Sequence, residues 1–270
     1  MKIVRFLSDE GRIYLGSIRE DQPGEAAILR GDWFGKLEET GKTTRIGRLL
    51  APLDPPNILV IGLNYGRHAE ETNIARPEIP IMFMKATTAI IGPDEKILLP
   101  TIGPEQVDYE AELAVIIGRR AKNVNREEAL GHVLGYTCAN DVSARDWQIE
   151  KQKRQWVRGK SFDTFCPLGP CVVTADEIPD PNSLGIRAIL NGRVMQDSNT
   201  SDMIFDVAAL ISDLSRSFTL LPGTVILTGT PEGVGFTRKP PVFLREGDVI
   251  KIEIDGIGSL SNRVDRESHE

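Results

Sequence analysis

Cysteine, histidine and long apolar runs are scarce in this chain of 270 residues. Its three cysteines, Cys138, Cys166 and Cys171, are odd in number and have no Cys-x-x-Cys spacing, which argues against a disulfide framework and a zinc site. No segment approaches the roughly 18 consecutive apolar residues of a membrane span, and the amino terminus lacks the apolar region of a secretory signal peptide. We therefore expect a cytoplasmic protein with no membrane partner.

Basic charge is also in short supply. The chain has 32 Lys and Arg against 39 Asp and Glu, which gives a formal net charge of -7. Nucleic acids and anionic membranes attract basic surfaces, so neither is expected as a partner. The apolar fraction of 40% is enough for a substantial core, and the composition is that of an ordinary globular protein.

A proline cluster at residues 51–56 divides the chain, because ring-locked backbone angles and missing amide donors interrupt regular structure. Before it lie short β-like pieces and a polar, helix-compatible stretch at 36–40. After it, short apolar runs bounded by Gly, Pro and Asp predict a β-rich body. Helices are predicted over 143–155 and 201–215, the second with one apolar face.

The stretch from Asp108 to Ile117 predicts a strand with closely spaced carboxylates. Side chains alternate along a strand, so Asp108, Glu110 and Glu112 share one face. Carboxylates that close repel one another unless a cation neutralises them, and a hard divalent cation with its preference for oxygen ligands is one solution. A solvated strand face is the alternative.

Two further stretches have residue types suited to chemistry. Asp141 lies at a predicted strand-to-helix turn, followed by Arg145 and Gln148 on one helix face, and it is either a turn residue or a carboxylate facing a cation. His68 and Glu71 have the spacing of neighbours in a helical turn, where the carboxylate orients the imidazole. They form either an acid/base pair or an ordinary surface pair.

Two stretches that contain glycine do not predict a nucleotide site. Residues 159–161 read Gly-Lys-Ser but lack the earlier glycine of a phosphate-binding loop, and a proline-rich turn follows them. Residues 228–235 form a Gly-rich turn without the dinucleotide-binding fingerprint, and a tight turn is sufficient to explain them.

Five stretches together resemble the fumarylacetoacetate hydrolase family and keep its motif order; they are residues 109–113, 135–146, 159–163, 228–231 and 257–264. The resemblance implies a mixed α+β, β-rich fold with a β-roll at its centre, usually as a homodimer. It implies a catalytic domain at 57–265, with a small N-terminal α/β domain at 1–52 and a tail at 266–270.

The resemblance also implies a metal site. Glu110, Glu112 and Asp141 match the family's carboxylate ligands for Mg²⁺, with Mn²⁺ or Ca²⁺ as substitutes, while Asp108 is left out. Lys160 and Thr164 match positions that support the metal and the developing charge.

Substrate-contacting positions of the family match Arg145, Gln148 and Thr230. Lys85 lies on a strand similar to the family's lysine-containing strand, where it is either a substrate contact or a strand-edge charge. Lys85 or Arg145 would hold an acidic end group of the substrate.

His68 and Glu71 match a catalytic dyad of some family members, and Lys160 would assist them. The implied enzyme acts on 2-oxo and 2,4-diketo acids through a metal-bound enolate, first of all as a carbon-carbon bond hydrolase of the acylpyruvate or fumarylacetoacetate type. Alternatives are an oxaloacetate decarboxylase or tautomerase and a 2-hydroxy-dienedioate isomerase or decarboxylase. A non-catalytic member that binds metal or ligand is the alternative from another class.

Overall fold

The computed structural model describes residues 1–19 and 21–268, and it confirms the mixed, β-rich fold. Residues 269 and 270 of the predicted tail lie outside the described part. None of the described helices is long and apolar enough to cross a membrane.

The amino-terminal region consists of four strands, β1 (Lys2–Ser8), β2 (Ile13–Ile18), β3 (Glu25–Gly31) and β4 (Leu37–Leu49). Each pairs with the next in the ring β1-β2-β3-β4-β1, and the start of β1 also pairs with a strand of the main body. The helix-compatible interpretation of 36–40 and the α/β character of this region are wrong, since residues 1–19 and 21–52 contain no helix. Pairing with β3 overrides local helix propensity, and the β-branched residues of β4 suit a strand.

The remaining elements run as follows: β5 (Ile58–Gly62), α1 (Gly66–Glu71), β6 (Ile81–Lys85), β7 (Ile90–Ile91), β8 (Ile97–Leu99), β9 (Val107–Asp108), β10 (Ala111–Ile117), α2 (Arg126–Ala129), β11 (Val133–Asn140), β12 (Ser143–Ala144), α3 (Val157–Lys160), β13 (Cys166–Thr174), β14 (Gly185–Leu190), β15 (Arg193–Asn199), α4 (Val207–Ser217), β16 (Val225–Leu227), β17 (Val249–Ile254) and β18 (Gly258–Arg266). A π-helix covers Asp146–Lys151.

The main sheet has the strand order β2-β3-β4-β1-β13-β11-β10-β16-β5-β6. A second sheet, β15-β14-β17-β18-β8, packs against β10, β11 and β13, and the apolar core fills the space between them. Every residue of β10 is buried, so this strand is covered on both faces. The solvated-face alternative for Glu112 is therefore excluded.

The predicted helices are shorter than the sequence suggested. Ser143 and Ala144 pair with β9, which leaves only the π-helix of the stretch 143–155. The helix of 201–215 begins at Val207, where the Asp206 carboxylate caps it by accepting a hydrogen bond of 2.8 Å from the Ala209 N–H.

Gly135 allows β11 and β13 to approach closely in the sheet that leads to the candidate site. A Cβ at this position would lie 2.2 Å from the Val173 carbonyl oxygen, a backbone atom that cannot turn away. We expect Gly135→Ala to lower the free energy of unfolding by about 1–3 kcal/mol through overpacking. Urea denaturation measures this, with Gly131→Ala as the control because its nearest atom would be 3.6 Å away. Equal stability of the two variants would contradict the prediction.

Candidate metal and substrate site

Three buried carboxylates meet where β10 begins and β11 ends. Antiparallel pairing sets Ala111 opposite Asn140, so Glu110 and Asp141 extend the same ladder, and the Asp141 N–H donates to the Glu110 carbonyl at 2.9 Å. One carboxylate oxygen from each of Glu110, Glu112 and Asp141 lies within 4.8 Å of the others. The structure thus brings the three sequence-predicted metal ligands together.

Two cationic side chains balance the negative charge of Glu110. Lys160 Nζ lies 2.8 Å from its Oε2, and Arg145 Nη1 lies 2.7 Å from its Oε1. Burial raises the pKa of Glu110, but the positive charges of Lys160 and Arg145 outweigh burial and lower that pKa to about 2. Glu110 is therefore an ionised carboxylate at neutral pH.

Glu112 forms no ion pair with any cation in residues 1–19 and 21–268. Its Oε2 accepts a 2.7 Å hydrogen bond from the Gly229 N–H, which a positive φ of 99° at Gly229 turns toward it. Burial raises the pKa of Glu112 well above its usual value, and the nearby charges of Asp141 and Glu110 raise it further. An ionised Glu112 thus needs a positive charge that the surrounding side chains do not fully supply.

The charge balance of the cluster fits a divalent cation. Asp141 pairs with Lys85 at 2.5 Å and with Lys160 at 2.6 Å. The four buried carboxylates, with Asp108 included, face three buried cations, which leaves a formal charge of -1. All three converging donors are carboxylate oxygens, the ligands that hard cations prefer.

Asp108 holds the Arg145 side chain in position and is not one of the three candidate metal ligands. Its Oδ2 accepts a 2.9 Å hydrogen bond from Arg145 Nε, and its carboxylate accepts the N–H groups of Gly235 and Phe236 at 2.8 and 3.0 Å. The Arg145 guanidinium lies 4.3 Å from the Phe236 ring centroid and donates to Gln148 Oε1 at 2.9 Å. Nη2 of this arginine lies 2.8 Å from Asp108 Oδ2 but makes no hydrogen bond within the described part of the chain.

A cavity of about 540 Å³ opens onto the carboxylates. The predicted substrate contacts Arg145, Gln148 and Thr230 line it together with Lys160, and its other wall is largely apolar. Contact of these residues with a substrate stays a prediction. The turn at 228–235 is more than a tight turn, since it supplies both Thr230 and the Gly229 N–H that binds Glu112.

His68 and Glu71 face the same cavity from α1. His68 Nδ1 lies 3.0 Å from Glu71 Oε2, and Glu71 Oε1 accepts hydrogen bonds from the Gly233 N–H at 3.0 Å and the Thr237 hydroxyl at 2.8 Å. Burial raises the pKa of Glu71, but these hydrogen bonds outweigh burial and lower it overall. An ionised Glu71 favours a proton on Nδ1, which leaves Nε2 as the basic nitrogen of neutral His68.

Two predicted site residues lie elsewhere. Lys85 does not line the cavity, because its ammonium is buried against Asp141 and the Val142 carbonyl at 3.2 Å. Thr164 does not line it either. Its hydroxyl accepts a hydrogen bond of 2.8 Å from the Leu98 N–H, and its own backbone is left-handed with a φ of 72°. The structure thus contradicts a substrate contact for Lys85. The supporting role of Thr164 near the metal ligands stays a prediction, since such a residue need not line the cavity.

Three buried amides hold the site together and were not singled out from the sequence. Asn140 accepts the Glu110 N–H at 3.0 Å, and Gln196 accepts the Ala111 N–H at 2.8 Å while donating to Thr230 Oγ1 at 2.8 Å. Asn64, ahead of α1, donates to the Thr228 carbonyl at 2.7 Å. An amide inside or beside an apolar strand is the one signal that marks such residues in a sequence.

Known proteins match this chain over both of its regions. Residues 57–265 match the family model described as fumarylacetoacetate (FAA) hydrolase C-terminal, and residues 1–52 match one described as Rv2993c-like, N-terminal. The two-domain division stays a prediction, although these boundaries coincide with it.

Among curated relatives, the mitochondrial oxaloacetate tautomerase fahd2 of Xenopus laevis is 54% identical over 80% of this chain and 68% of its own length. The solved 5-carboxymethyl-2-hydroxymuconate delta-isomerase from Mycobacterium smegmatis superposes with a TM-score of 0.87 at 42% identity, covering 99% of this chain and 100% of the other. The fumarylacetoacetate hydrolase from Exiguobacterium antarcticum gives a TM-score of 0.88 at 38% identity with the same coverage. The chain belongs to the fumarylacetoacetate hydrolase family.

Proposed function

We propose that the protein is a divalent-cation-dependent enzyme that interconverts the keto and enol forms of a small 2-oxo diacid such as oxaloacetate. The observation that carries this proposal is the buried cluster of Glu110, Glu112 and Asp141 at the floor of a cavity whose wall carries an oriented histidine. Together with Asp108 and the three buried cations around it, this cluster has a formal charge of -1. The relatives named as an oxaloacetate tautomerase and a delta-isomerase support keto-enol or double-bond chemistry over hydrolysis.

Glu110, Glu112 and Asp141 would hold the cation, with Mg²⁺ as the proposed ion and Mn²⁺ or Ca²⁺ as substitutes. When bound, the cation supplies Lewis acidity that stabilises negative charge on the substrate during proton transfer. Burial lowers the pKa of Lys160, but Asp141 and Glu110 raise it overall, so Lys160 stays protonated and adds positive charge beside the same carboxylates.

His68 would move the proton. Its Nε2 takes a proton from the carbon next to the 2-oxo group in the keto-to-enol direction and returns it in the reverse direction. In the keto-to-enol direction the substrate oxygen takes a proton from solvent and His68 then releases the carbon's proton to solvent, so the net change is one proton moved from carbon to oxygen. Glu71 keeps the imidazole in the tautomer with a basic Nε2.

Carbon-carbon bond hydrolysis is the second candidate, because the same His68–Glu71 pair is suited to activating a water molecule. The substrate of that reaction would be an acylpyruvate or a fumarylacetoacetate-like diketo acid. The same side chains are also suited to decarboxylation of oxaloacetate or a hydroxy-dienedioate. A non-catalytic role fits less well, since the complete carboxylate set and the dyad are both present.

A homodimer is also proposed. β6 is the edge strand of the main sheet, and its side chains Met82 and Met84 are 37% and 39% exposed on one face. Exposed apolar edge strands mark interaction surfaces, and a second copy would cover this one.

Mg²⁺ should stabilise the protein through Glu112. At a concentration 100 times the dissociation constant, a bound ion adds about 2.7 kcal/mol to the free energy of unfolding, so Tm should rise by several degrees. Glu112→Gln should abolish this rise without lowering the Tm of the metal-free protein, since it replaces a buried carboxyl group whose ionised form no ion pair stabilises within the described residues, and the amide oxygen can still accept the Gly229 N–H. Differential scanning calorimetry measures both quantities. The exposed Glu105→Gln is the control, and a full Mg²⁺ response in Glu112→Gln would contradict the ligand role.

His68→Ala should slow ketonisation of enol-oxaloacetate by about 10²- to 10⁴-fold, because the positioned base is lost. The Mg²⁺-induced rise in Tm should persist, since His68 is not a proposed ligand. The enol absorbance measures the rate, and the exposed Glu70→Gln controls for a general charge effect near α1. Normal catalysis by His68→Ala would refute its role. Cleavage of acetylpyruvate by wild type without catalysed ketonisation would favour the hydrolase.

Met84→Glu should convert the dimer to a monomer, because it places a charge on the apolar face of β6. Light scattering after size-exclusion chromatography reports the mass. Ile13→Glu alters an apolar side chain that is 58% exposed on β2 and should leave the dimer intact. A monomeric wild type, or a dimeric Met84→Glu, would exclude this interface.

A further inference from the structure

Arg154 is a cation of the cavity wall that the proposed proton transfer does not use. It lines the cavity and is exposed. Within residues 1–19 and 21–268 it forms no ion pair and no side-chain hydrogen bond. The other lining cations differ from it, since Lys160 is held by Glu110 and Asp141, and Arg145 by Asp108 and Glu110.

The backbone that carries Arg154 is held in an unusual conformation. Lys153 and Arg154 have φ values of 50° and 65°, two successive left-handed residues of which neither is glycine. They follow the π-helix Asp146–Lys151, which bears Gln148, and the Gln155 N–H closes the turn by donating to the Gln152 carbonyl at 2.9 Å. π-helices and such strained residues cluster at functional sites, where they fix the place from which a side chain extends.

Arg145 is poorly placed to hold an acidic end group, although the sequence suggested it. Its Nε and Nη1 are already engaged by Asp108, Glu110 and Gln148. Only Nη2 makes no hydrogen bond within the described residues, whereas a two-bond contact with a carboxylate needs two free donors. Lys85 is buried outside the cavity. Without Arg154, a second carboxylate of the substrate would meet the apolar wall or neutral side chains such as Gln148 and Thr237, and its charge would lack a cationic partner, which is costly.

We propose that Arg154 binds the distal carboxylate of a 2-oxo diacid whose 2-oxo acid end lies at Glu110, Glu112 and Asp141. This inference rests on the proposed function and specifies its substrate class. A guanidinium binds a carboxylate through two parallel hydrogen bonds, so Arg154 selects diacids over monoacids of the same length.

Isothermal titration calorimetry on the Mg²⁺-loaded protein tests this with 2-oxoglutarate and 2-oxovalerate. The two ligands share the 2-oxo acid end and the number of carbons, and only the first has a distal carboxylate. Wild type should bind 2-oxoglutarate about tenfold more tightly at low ionic strength, as expected for hydrogen bonds to a charged group. Arg154→Gln should bring the two affinities together by weakening 2-oxoglutarate alone, and Arg154→Lys should restore part of the difference.

Lys153→Gln is the matched control, because Lys153 is the exposed neighbouring cation in the same turn but does not line the cavity. It should keep the wild-type preference. Three results would overturn the role of Arg154. They are equal affinity of wild type for the two ligands, an undiminished preference of Arg154→Gln for 2-oxoglutarate, or an equal loss of affinity for both ligands in that variant.

Binding is independent of turnover, so this test separates the two proposals. Arg154-dependent discrimination in a protein that does not accelerate oxaloacetate ketonisation would support this inference and reject the proposed function. Normal ketonisation without Arg154-dependent discrimination would overturn only this inference.

Discussion

Three carboxylates buried within 4.8 Å of one another are the constraint on which the rest of the structure depends. Mutual repulsion and desolvation both oppose the ionised state of such a group. Three buried cations from different parts of the chain form ion pairs with this group, namely Lys85, Lys160 and Arg145. Arg145 is shared with a fourth buried carboxylate, Asp108, so the three cations leave one negative charge unbalanced. Among the described residues Glu112 forms no ion pair, and the Gly229 N–H donates a hydrogen bond to it. That deficit is what turns a structural ion-pair network into a candidate cation site.

The two-sheet core makes this arrangement possible. β10 is buried on both faces between β11 and β16, so the carboxylates at its beginning occupy fixed positions at the floor of the cavity. Buried amides then fix the loops around them, with Gln196 joining β10 to Thr230 and Asn64 joining the start of α1 to β16. The dyad and the carboxylates thus face one cavity although His68 and Glu110 belong to different elements.

Periodicity was sufficient to predict that Glu110 and Glu112 act together, because strand geometry is local. Asp141 required the family resemblance, since nothing local says that the end of β11 lies beside the start of β10. Asp108 shares the same strand face in the sequence pattern, yet a break at residues 109–110 turns it to Arg145. The substrate contact predicted for Lys85 is wrong because its partner Asp141 is 56 residues away and no local pattern shows that contact. The hydrogen bond from Leu98 to Thr164 spans 66 residues and is equally invisible to local sequence patterns. Arg154 belongs to no recognised motif, and only its position in the cavity wall indicates a role in binding.

Hydrogen-deuterium exchange at the carbon next to the 2-oxo group of oxaloacetate, followed by proton NMR in D₂O, tests the central claim most directly. Keto-enol interconversion at a cation site predicts that the Mg²⁺-loaded protein accelerates this exchange and that EDTA returns it to the uncatalysed rate. Exchange at the uncatalysed rate in the presence of protein and Mg²⁺ would contradict the account, whatever other product is formed.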